Sequence, residues 1–264
     1  MAYTVDLKST AFTGLWVRVP PVLPIQTKDN FNMIKSIEFK KEFRSFKKGE
    51  RYDFNSGVNL LVGDQGCGKS TMIELIRSAL EKDRSFNESD STYRAKSIKS
   101  QFKVEDLVTI EAEKDAKIVA FDFERESPRD MSALHYDMLE MQLFAMKASH
   151  GQGNLASLNM LMERISKERD SIGTVLLDEP DAALSPRNCY GLLNILNALA
   201  SKWNKQVIVS AHNPILIKGR HPFAKDNYWT QVLSLEDKKW MDGDAFLLLQ
   251  LAPNGNTREK EKRK

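Results

Sequence analysis

The segment Gly63–Ser70 has the residue types and spacing of a phosphate-binding loop, G-x-x-x-x-G-K-S. A short apolar run from Val58 precedes it, and apolar residues at helical spacing follow from Thr71. Glycines leave backbone N–H groups free to face an anion, and the helix that follows directs its positive dipole end to the same place. An ordinary glycine-rich turn is the alternative, but this context favours nucleotide binding. The candidate contacts are Gly63, Asp64, Gln65, Gly66, Cys67, Gly68, Lys69, Ser70 and Thr71.

Two adjacent acids, Asp178 and Glu179, end an apolar strand pattern that begins at Thr174. Carboxylates at the end of a buried strand are normally paired or bound to metal. We therefore expect Lys69 to supply a fixed positive charge to the phosphates, and Ser70 and Asp178 to hold Mg²⁺. Glu179 would activate the attacking water. The alternative is a strand that simply ends in a polar turn.

Three further segments carry a resemblance to a known family. Asp178–Pro186, D-E-P-D-A-A-L-S-P, resembles the acidic segment of ABC-type ATPases. Ser149–Gln152 resembles their signature segment, and Ser210–Pro214 resembles the segment of their switch histidine. With the phosphate loop, all four motifs lie in the order of the family. The resemblance spans about residues 33 to 246 and is closest to small ATPases related to SMC and double-strand-break-repair heads.

This resemblance implies a head-to-tail dimer in which each ATP lies between the phosphate loop of one copy and the signature segment of the other. Ser149, Gly151 and Gln152 would then contact the nucleotide of the second copy, at the start of a helix expected from about Leu155 to Lys167. On sequence alone, a serine and glycines that cap this helix are an equal alternative. His150 departs from the family, because many relatives carry glycine there.

The resemblance also implies that His212, after the strand pattern Gln206–Ala211, contacts the terminal phosphate or the attacking water. A structural histidine is the alternative. The family carries a glutamine after another strand, for which Lys117–Glu126 is the candidate segment, but no glutamine occurs there. Glu124 would replace it as a metal or water contact, or would be an exposed strand end.

The predicted fold is an α/β P-loop NTPase of the ABC ATPase type, with a mostly parallel central sheet flanked by helices. We expect an N-terminal extension over 1–32, an ATPase domain over 33–253 and a basic disordered tail over 254–264. An antiparallel β subdomain would open the ATPase domain, and a short helical lobe would occupy about 125–155. The predicted elements are strands at Ile34–Phe39, Arg51–Phe54 and Val58–Val62, a polar loop at 83–101, and a helix that Ser185 and Pro186 open and that ends near Trp203.

At 264 residues with 41% hydrophobic content, the chain can bury one substantial core. It contains no apolar run near ~20 residues, the length that spans a bilayer, so we expect a cytoplasmic protein without a membrane partner. Its net charge is +3, but the charge is unevenly distributed. Segment 35–51 has seven basic and three acidic residues, which give +4, and segment 254–264 has five basic and two acidic residues, which give +3, so the rest of the chain carries −4. These segments would contact nucleic acid, or would be a solvated hairpin and tail.

The sequence therefore predicts Mg²⁺-dependent ATP binding and hydrolysis by an ATP-sandwiched homodimer. Such a dimer would act as a switch or motor linked to nucleic-acid repair or to phage or anti-phage processes. One alternative is an ATP-gated module with slow hydrolysis that recruits a protein effector. Another is the nucleotide-binding subunit of an ABC transporter.

Overall fold

The structure is a computed structural model that describes residues 33–80, 98–113, 117–123, 149–168, 171–222, 228–229 and 231–251. Glu124, the extension 1–32, the tail 254–264 and most of the expected helical lobe lie outside the described residues. Predictions that rest on those segments therefore stay predictions.

The described residues form nine strands in two sheets. A three-stranded antiparallel sheet has the order β2-β1-β4, and a six-stranded sheet has the order β5-β6-β7-β3-β8-β9. In the larger sheet β5, β6, β7, β3 and β8 are parallel, and β9 pairs antiparallel with β8. The strands are β1 Ile34–Phe39, β2 Arg51–Asp53, β3 Val58–Val62, β4 Val108–Ala112, β5 Lys117–Asp122, β6 Ile172–Asp178, β7 Gln206–Ser210, β8 Gln231–Ser234 and β9 Lys239–Asp242.

Seven helices connect or cover these strands in the described part of the chain. They are α1 Lys69–Leu80, α2 Ile98–Gln101, α3 Val104–Leu107, α4 His150–Lys167, α5 Pro186–Ser201, α6 Pro214–Lys218 and α7 Gly243–Leu251. The predicted fold class, a mostly parallel α/β sheet with an antiparallel subdomain, is confirmed. No described helix combines the length and the apolar character that a membrane crossing requires.

The central strand β3 separates two apolar cores because its side chains alternate between the faces of the sheet. Leu60 and Val62 lie in the core that includes the apolar face of α5. Leu61 lies in the opposite core, which includes the apolar face of α1 and the antiparallel sheet. Packing on both faces fixes β3, and the phosphate loop begins directly after it.

Gln206 joins the two sheets through buried hydrogen bonds. Its Oε1 accepts the backbone N–H of Ile34 over 2.9 Å and the hydroxyl of Thr174 over 2.8 Å. Its Nε2 donates to the carbonyl oxygen of Ile34 over 2.7 Å. Since Gln206 starts β7 and Ile34 starts β1, this side chain holds the antiparallel subdomain against the parallel sheet.

Three predicted element bounds were wrong. The helix expected from about Leu155 begins at His150, because Ser149 caps it with its side chain. Part of the polar loop expected over 83–101 is helical, since α2 occupies its last four residues. The second strand ends at Asp53, one residue before the predicted end.

Candidate functional site

The phosphate loop is an open turn between β3 and α1. Gly63, Gly66 and Gly68 have φ values of 145°, 82° and 110°, which L side chains rarely adopt. At Gly66 an added Cβ would meet nothing within 4 Å, so the loop faces open space there. At Gly68 an added Cβ would lie 2.6 Å from the ring of Phe46, so the antiparallel subdomain packs directly against the loop.

Lys69 is buried and folds back over this loop. Its Nζ donates to the carbonyl oxygens of Gly63 over 2.9 Å and of Asp64 over 3.1 Å, and lies 3.8 Å from Cys67 Sγ. Burial raises the pKa of the Cys67 thiol, and the neighbouring Lys69 opposes that rise. The loop therefore holds a fixed ammonium group beside its backbone, at the N-terminus of α1.

The acids predicted after β6 lie beside the phosphate loop. Asp178 Oδ1 accepts the hydroxyl of Ser70 over 3.2 Å and the hydroxyl of Ser210 over 2.5 Å. The Ser210 oxygen in turn accepts the backbone N–H of Glu179 over 2.9 Å. Ser210 ends β7, so three segments that are far apart in the sequence meet at the carboxyl end of the parallel sheet, where such sheets bind ligands.

The carboxyl of Asp178 is difficult to ionise in this setting. Burial raises its pKa to about 6. The negative charges of Asp122 and Glu179 add to the rise, while hydrogen bonds from Ser210 and Ser70 oppose it. A cation bound at this point would favour the ionised carboxylate.

Glu179 and His212 face each other across this edge of the sheet. The Glu179 Oε1 and His212 Nε2 atoms are 3.2 Å apart. Glu179 has a φ of 50°, a left-handed backbone that non-glycine residues seldom adopt. This conformation turns the chain sharply after β6, and both side chains remain partly exposed.

A cleft of about 830 Å³ opens beside this pair. One wall consists of the first half of the phosphate loop together with Glu179 and His212. The other wall is formed by α6 and α7, with apolar side chains that include Phe246 and Leu248. Glu179 and His212, two of the three side chains predicted to be catalytic, thus border one solvent-open space together with the first half of the loop, whereas Lys69 does not line it.

The signature segment has a local structural role. Ser149 and Gln152 form a capping box at the start of α4: Ser149 Oγ accepts the Gln152 N–H, and Gln152 Oε1 accepts the Ser149 N–H. At Gly151 an added Cβ would lie 2.6 Å from the carbonyl oxygen of Ala183. Among the described residues, no hydrogen bond joins Ser149 or Gln152 to the phosphate loop of the same chain.

The arrangement fits a nucleotide triphosphate with Mg²⁺. The ammonium group of Lys69, the open turn at Gly66 and the N-terminus of α1 suit phosphate oxygens. The Ser70 hydroxyl and the Asp178 carboxylate are the hard oxygen donors that Mg²⁺ prefers. Thr71 lies in the same helical turn, where its hydroxyl accepts a hydrogen bond from Arg44 over 2.9 Å.

The fold and the site define a P-loop ATPase domain, as the phosphate-loop motif predicted. The AAA domain family matches residues 41–179, which contain both the phosphate loop and the acidic strand. This match covers 139 of the 264 residues, and the chain belongs to the AAA domain family. Among the curated proteins, none matches the chain.

Several solved structures are similar to the chain. They include an inward-facing metal-chelate type ABC transporter, with 18% identity over 82% of this chain and 85% of that chain and a TM-score of 0.49. The SMC head domain from Thermotoga maritima is 16% identical over 70% of this chain and 91% of that chain, with a TM-score of 0.42. A dimeric, post-hydrolysis ATP-binding cassette bound to ADP and phosphate is 15% identical over 79% of this chain and 97% of that chain, with a TM-score of 0.41.

Sequence reasoning gave no role to three residues that organise this site. Ser210 bridges Asp178 and Glu179, and Asp122 pairs beside Asp178 in the neighbouring strand. Asp181, two residues after Glu179, accepts backbone N–H groups of the His212 segment. The positions of Ser210 and Asp122 at strand ends indicate that both could lie near the site. The sequence pattern does not show which strands are neighbours, so it does not predict their contacts with Asp178.

Proposed function

We propose that this chain binds Mg²⁺ and ATP at the phosphate loop and hydrolyses the terminal phosphate. The observation that carries the proposal is the meeting of Ser70, Asp178 and the Glu179–His212 pair at one edge of the sheet. A phosphate loop alone supports binding. A carboxylate within hydrogen-bond reach of a histidine, beside that loop, supplies the groups that hydrolysis needs.

In the proposed reaction Lys69 and the loop N–H groups hold the phosphates, and Ser70 and Asp178 hold the metal. Bound Mg²⁺ neutralises phosphate charge. Glu179 accepts a proton from a water molecule, whose oxygen forms the new bond to the terminal phosphorus. The bond from that phosphorus to the bridging oxygen breaks, which leaves ADP and inorganic phosphate. His212, whose Nε2 lies 3.2 Å from Glu179 Oε1, orients the water or the terminal phosphate.

We further propose that ATP joins two copies head to tail. Ser149 is exposed at the N-terminus of α4, an 18-residue helix whose dipole favours an anion there. In the dimer Ser149, Gly151 and Gln152 of one copy would contact the nucleotide held by the other. The capping box in the single chain keeps this helix end ordered before the second copy arrives.

The test is the Glu179→Gln variant with ATP and Mg²⁺, followed by native mass spectrometry and by phosphate release. We expect a dimer that retains two ATP molecules and turns over at least about 100-fold more slowly, because the base is lost while the geometry survives. Glu168→Gln is the matched control, since that carboxylate pairs with Lys117 on the surface. Unchanged turnover in Glu179→Gln would place the base elsewhere, and an ATP-bound monomer would contradict the dimer.

We also propose that the ATP state of this dimer is communicated to a nucleic acid or a protein effector. The seven basic side chains of segment 35–51 are all exposed, which supports electrostatic contact with a polyanion. Titration of labelled duplex DNA at several salt concentrations, with and without ATP, tests this. A steep loss of affinity with salt is the expected result. Absence of DNA binding at low salt would favour a protein effector.

A further inference from the structure

The loop that follows β6 carries a buried carboxylate that has no part in the proposed ATP and metal contacts. Asp181 belongs to this loop, between Glu179 and Ala183, which both have positive φ values. Its side chain is buried, with 7% of the residue surface exposed. Its Oδ2 accepts the backbone N–H of His212 over 2.9 Å and that of Asn213 over 2.7 Å.

These two N–H groups fix the backbone that carries His212. Asn213 caps α6 with its own side chain, and Pro214 starts that helix, so the turn after His212 is already constrained. Two consecutive N–H groups that converge on one carboxylate oxygen anchor the other side of the turn.

We propose that Asp181 is a positioning residue that holds His212 against Glu179. Glu179 and Asp181 belong to one loop, and Asp181 binds the backbone of His212, whose imidazole lies 3.2 Å from the Glu179 carboxylate. Asp181, His212 and Glu179 are thus linked in a closed series of contacts, which sets the distance between the His212 and Glu179 side chains. The proposal rests on the proposed ATP hydrolysis, in which this pair faces the attacking water.

A second contact holds the same loop from the side of α4. Asn154 Nδ2 donates to the carbonyl oxygen of Ala182 over 2.7 Å, and Gly151 packs against the carbonyl of Ala183. Asp181 thus stands between the helix that carries the signature segment and the turn that carries His212. Because α4 anchors this loop, the Asp181 carboxylate can hold His212 at a fixed position relative to the loop.

The two oxygens of Asp181 have different surroundings, which provides a sharp test. Oδ1 is buried without a hydrogen-bond partner among the described residues, whereas Oδ2 accepts both N–H groups. An asparagine can place its carbonyl oxygen at the Oδ2 position and keep both acceptor contacts. Alanine removes them. Asp181→Asn should therefore retain function that Asp181→Ala loses.

The experiment measures kcat, KM and ATP affinity for Asp181→Ala, Asp181→Asn, His212→Ala and the Asp181→Ala/His212→Ala double variant. We expect Asp181→Ala to lower kcat at least about tenfold with ATP affinity unchanged within about twofold. Asp181→Asn should stay within about threefold of the wild type. Asp181→Ala should add less than about twofold in the His212→Ala background, because Asp181 acts through His212.

Asp242→Ala is the matched control, since Asp242 also accepts a backbone N–H, that of Ala245 at the start of α7. It should lower thermal stability without a selective loss of kcat. If Asp181→Ala does not fold, Asp181→Ser replaces it, because the shorter hydroxyl does not reach both N–H groups. Three results would overturn the proposal. The first is a kcat within twofold of the wild type for Asp181→Ala or its Ser replacement. The others are an equal loss of kcat in Asp181→Asn and independent losses of kcat in the double variant.

The NMR signals of the His212 ring separate this proposal from the proposed function. In the absence of nucleotide we expect Asp181→Ala to shift or broaden them and Asp181→Asn to leave them near the wild-type positions. A wild type without ATP turnover would sink the hydrolysis proposal while this ring signature still tested the positioning. Unchanged His212 signals in Asp181→Ala would sink the positioning role even with normal wild-type turnover.

Discussion

The hydroxyl of Ser210 lies 2.5 Å from Oδ1 of Asp178, which joins the last residues of two neighbouring parallel strands. The same hydroxyl oxygen accepts the N–H of Glu179. A single serine therefore orients the acid proposed to hold the metal and fixes the backbone of the acid proposed to act as base.

The Ser210→Ala substitution should weaken both stability and turnover. It leaves the buried Asp178 oxygen and the Glu179 N–H each without one partner, at a cost of about 1–3 kcal/mol in the free energy of unfolding. Urea unfolding and ATP turnover at varied Mg²⁺ would measure these effects. Ser201→Ala removes an exposed serine bond at the end of α5 and should cost less than about 0.5 kcal/mol. Equal costs in the two variants would contradict the bridging role of Ser210.

The raised pKa of Asp178 should give the metal-free protein a stabilising contribution that grows as the pH falls. The folded pKa of about 6 exceeds the unfolded value near 3.8, so the native state binds the proton more tightly. This contribution is complete below the unfolded pKa and is lost as the pH rises through about 6. Between pH 8 and pH 5, with a chelator present, Asp178 should contribute about 1.4 kcal/mol of stabilisation.

The Asp178→Asn variant isolates this contribution, because asparagine does not titrate. Urea unfolding of both proteins at pH 5 and pH 8 should show that the change in unfolding free energy from pH 8 to pH 5 is about 1.4 kcal/mol less favourable in the variant than in the wild type. If both proteins had the same pH dependence, the carboxyl of Asp178 would not carry the buried proton. Mg²⁺-dependent turnover should be lost in the variant, since the amide oxygen carries no charge.

Much of the site could be predicted from the sequence because each of its parts is a continuous segment. The phosphate loop, the acids after β6 and the histidine after β7 each follow an apolar strand pattern, and these patterns predicted strands that the structure contains. Parallel strands bring their carboxyl ends to one edge of a sheet. That rule predicts that Lys69, Glu179 and His212 lie at the same edge of the sheet.

The remaining contacts depend on register and on side-chain direction, which a pattern does not specify. That β6 lies next to both β5 and β7 decides that Asp122 and Ser210 flank Asp178. The early start of α4 depends on the reciprocal bonds of Ser149 and Gln152, while the glycines of that segment gave no helical signal. The packing of Gly151 against Ala183 joins residues far apart in the sequence, so the sequence pattern did not predict it either.

Two buried lysines should respond to substitution in opposite ways. Lys69→Ala should abolish detectable ATP binding, because it removes the ammonium group that the phosphate loop holds in place. Lys205→Met should cost about 1–3 kcal/mol of unfolding free energy but keep ATP affinity, because the Lys205 ammonium donates to the carbonyl of Ile172. Calorimetric ATP titration and urea unfolding separate the two effects. Retained affinity in Lys69→Ala would exclude the proposed phosphate site.

The Ser149→Arg substitution should distinguish the two roles of the signature segment. In the single chain it removes one cap bond of α4, which costs about 1 kcal/mol of stability and leaves ATP binding by the monomer within about twofold of the wild type. In the proposed dimer the arginine side chain would fill the space that the nucleotide of the second copy needs. In the Glu179→Gln background, native mass spectrometry should therefore show ATP-bound monomers.

Ser201→Arg places the same side chain at an exposed position of α5 and should leave the dimer intact. An ATP-dependent dimer in Ser149→Arg would mean that Ser149 only caps its helix, and that copies of this chain associate through another surface.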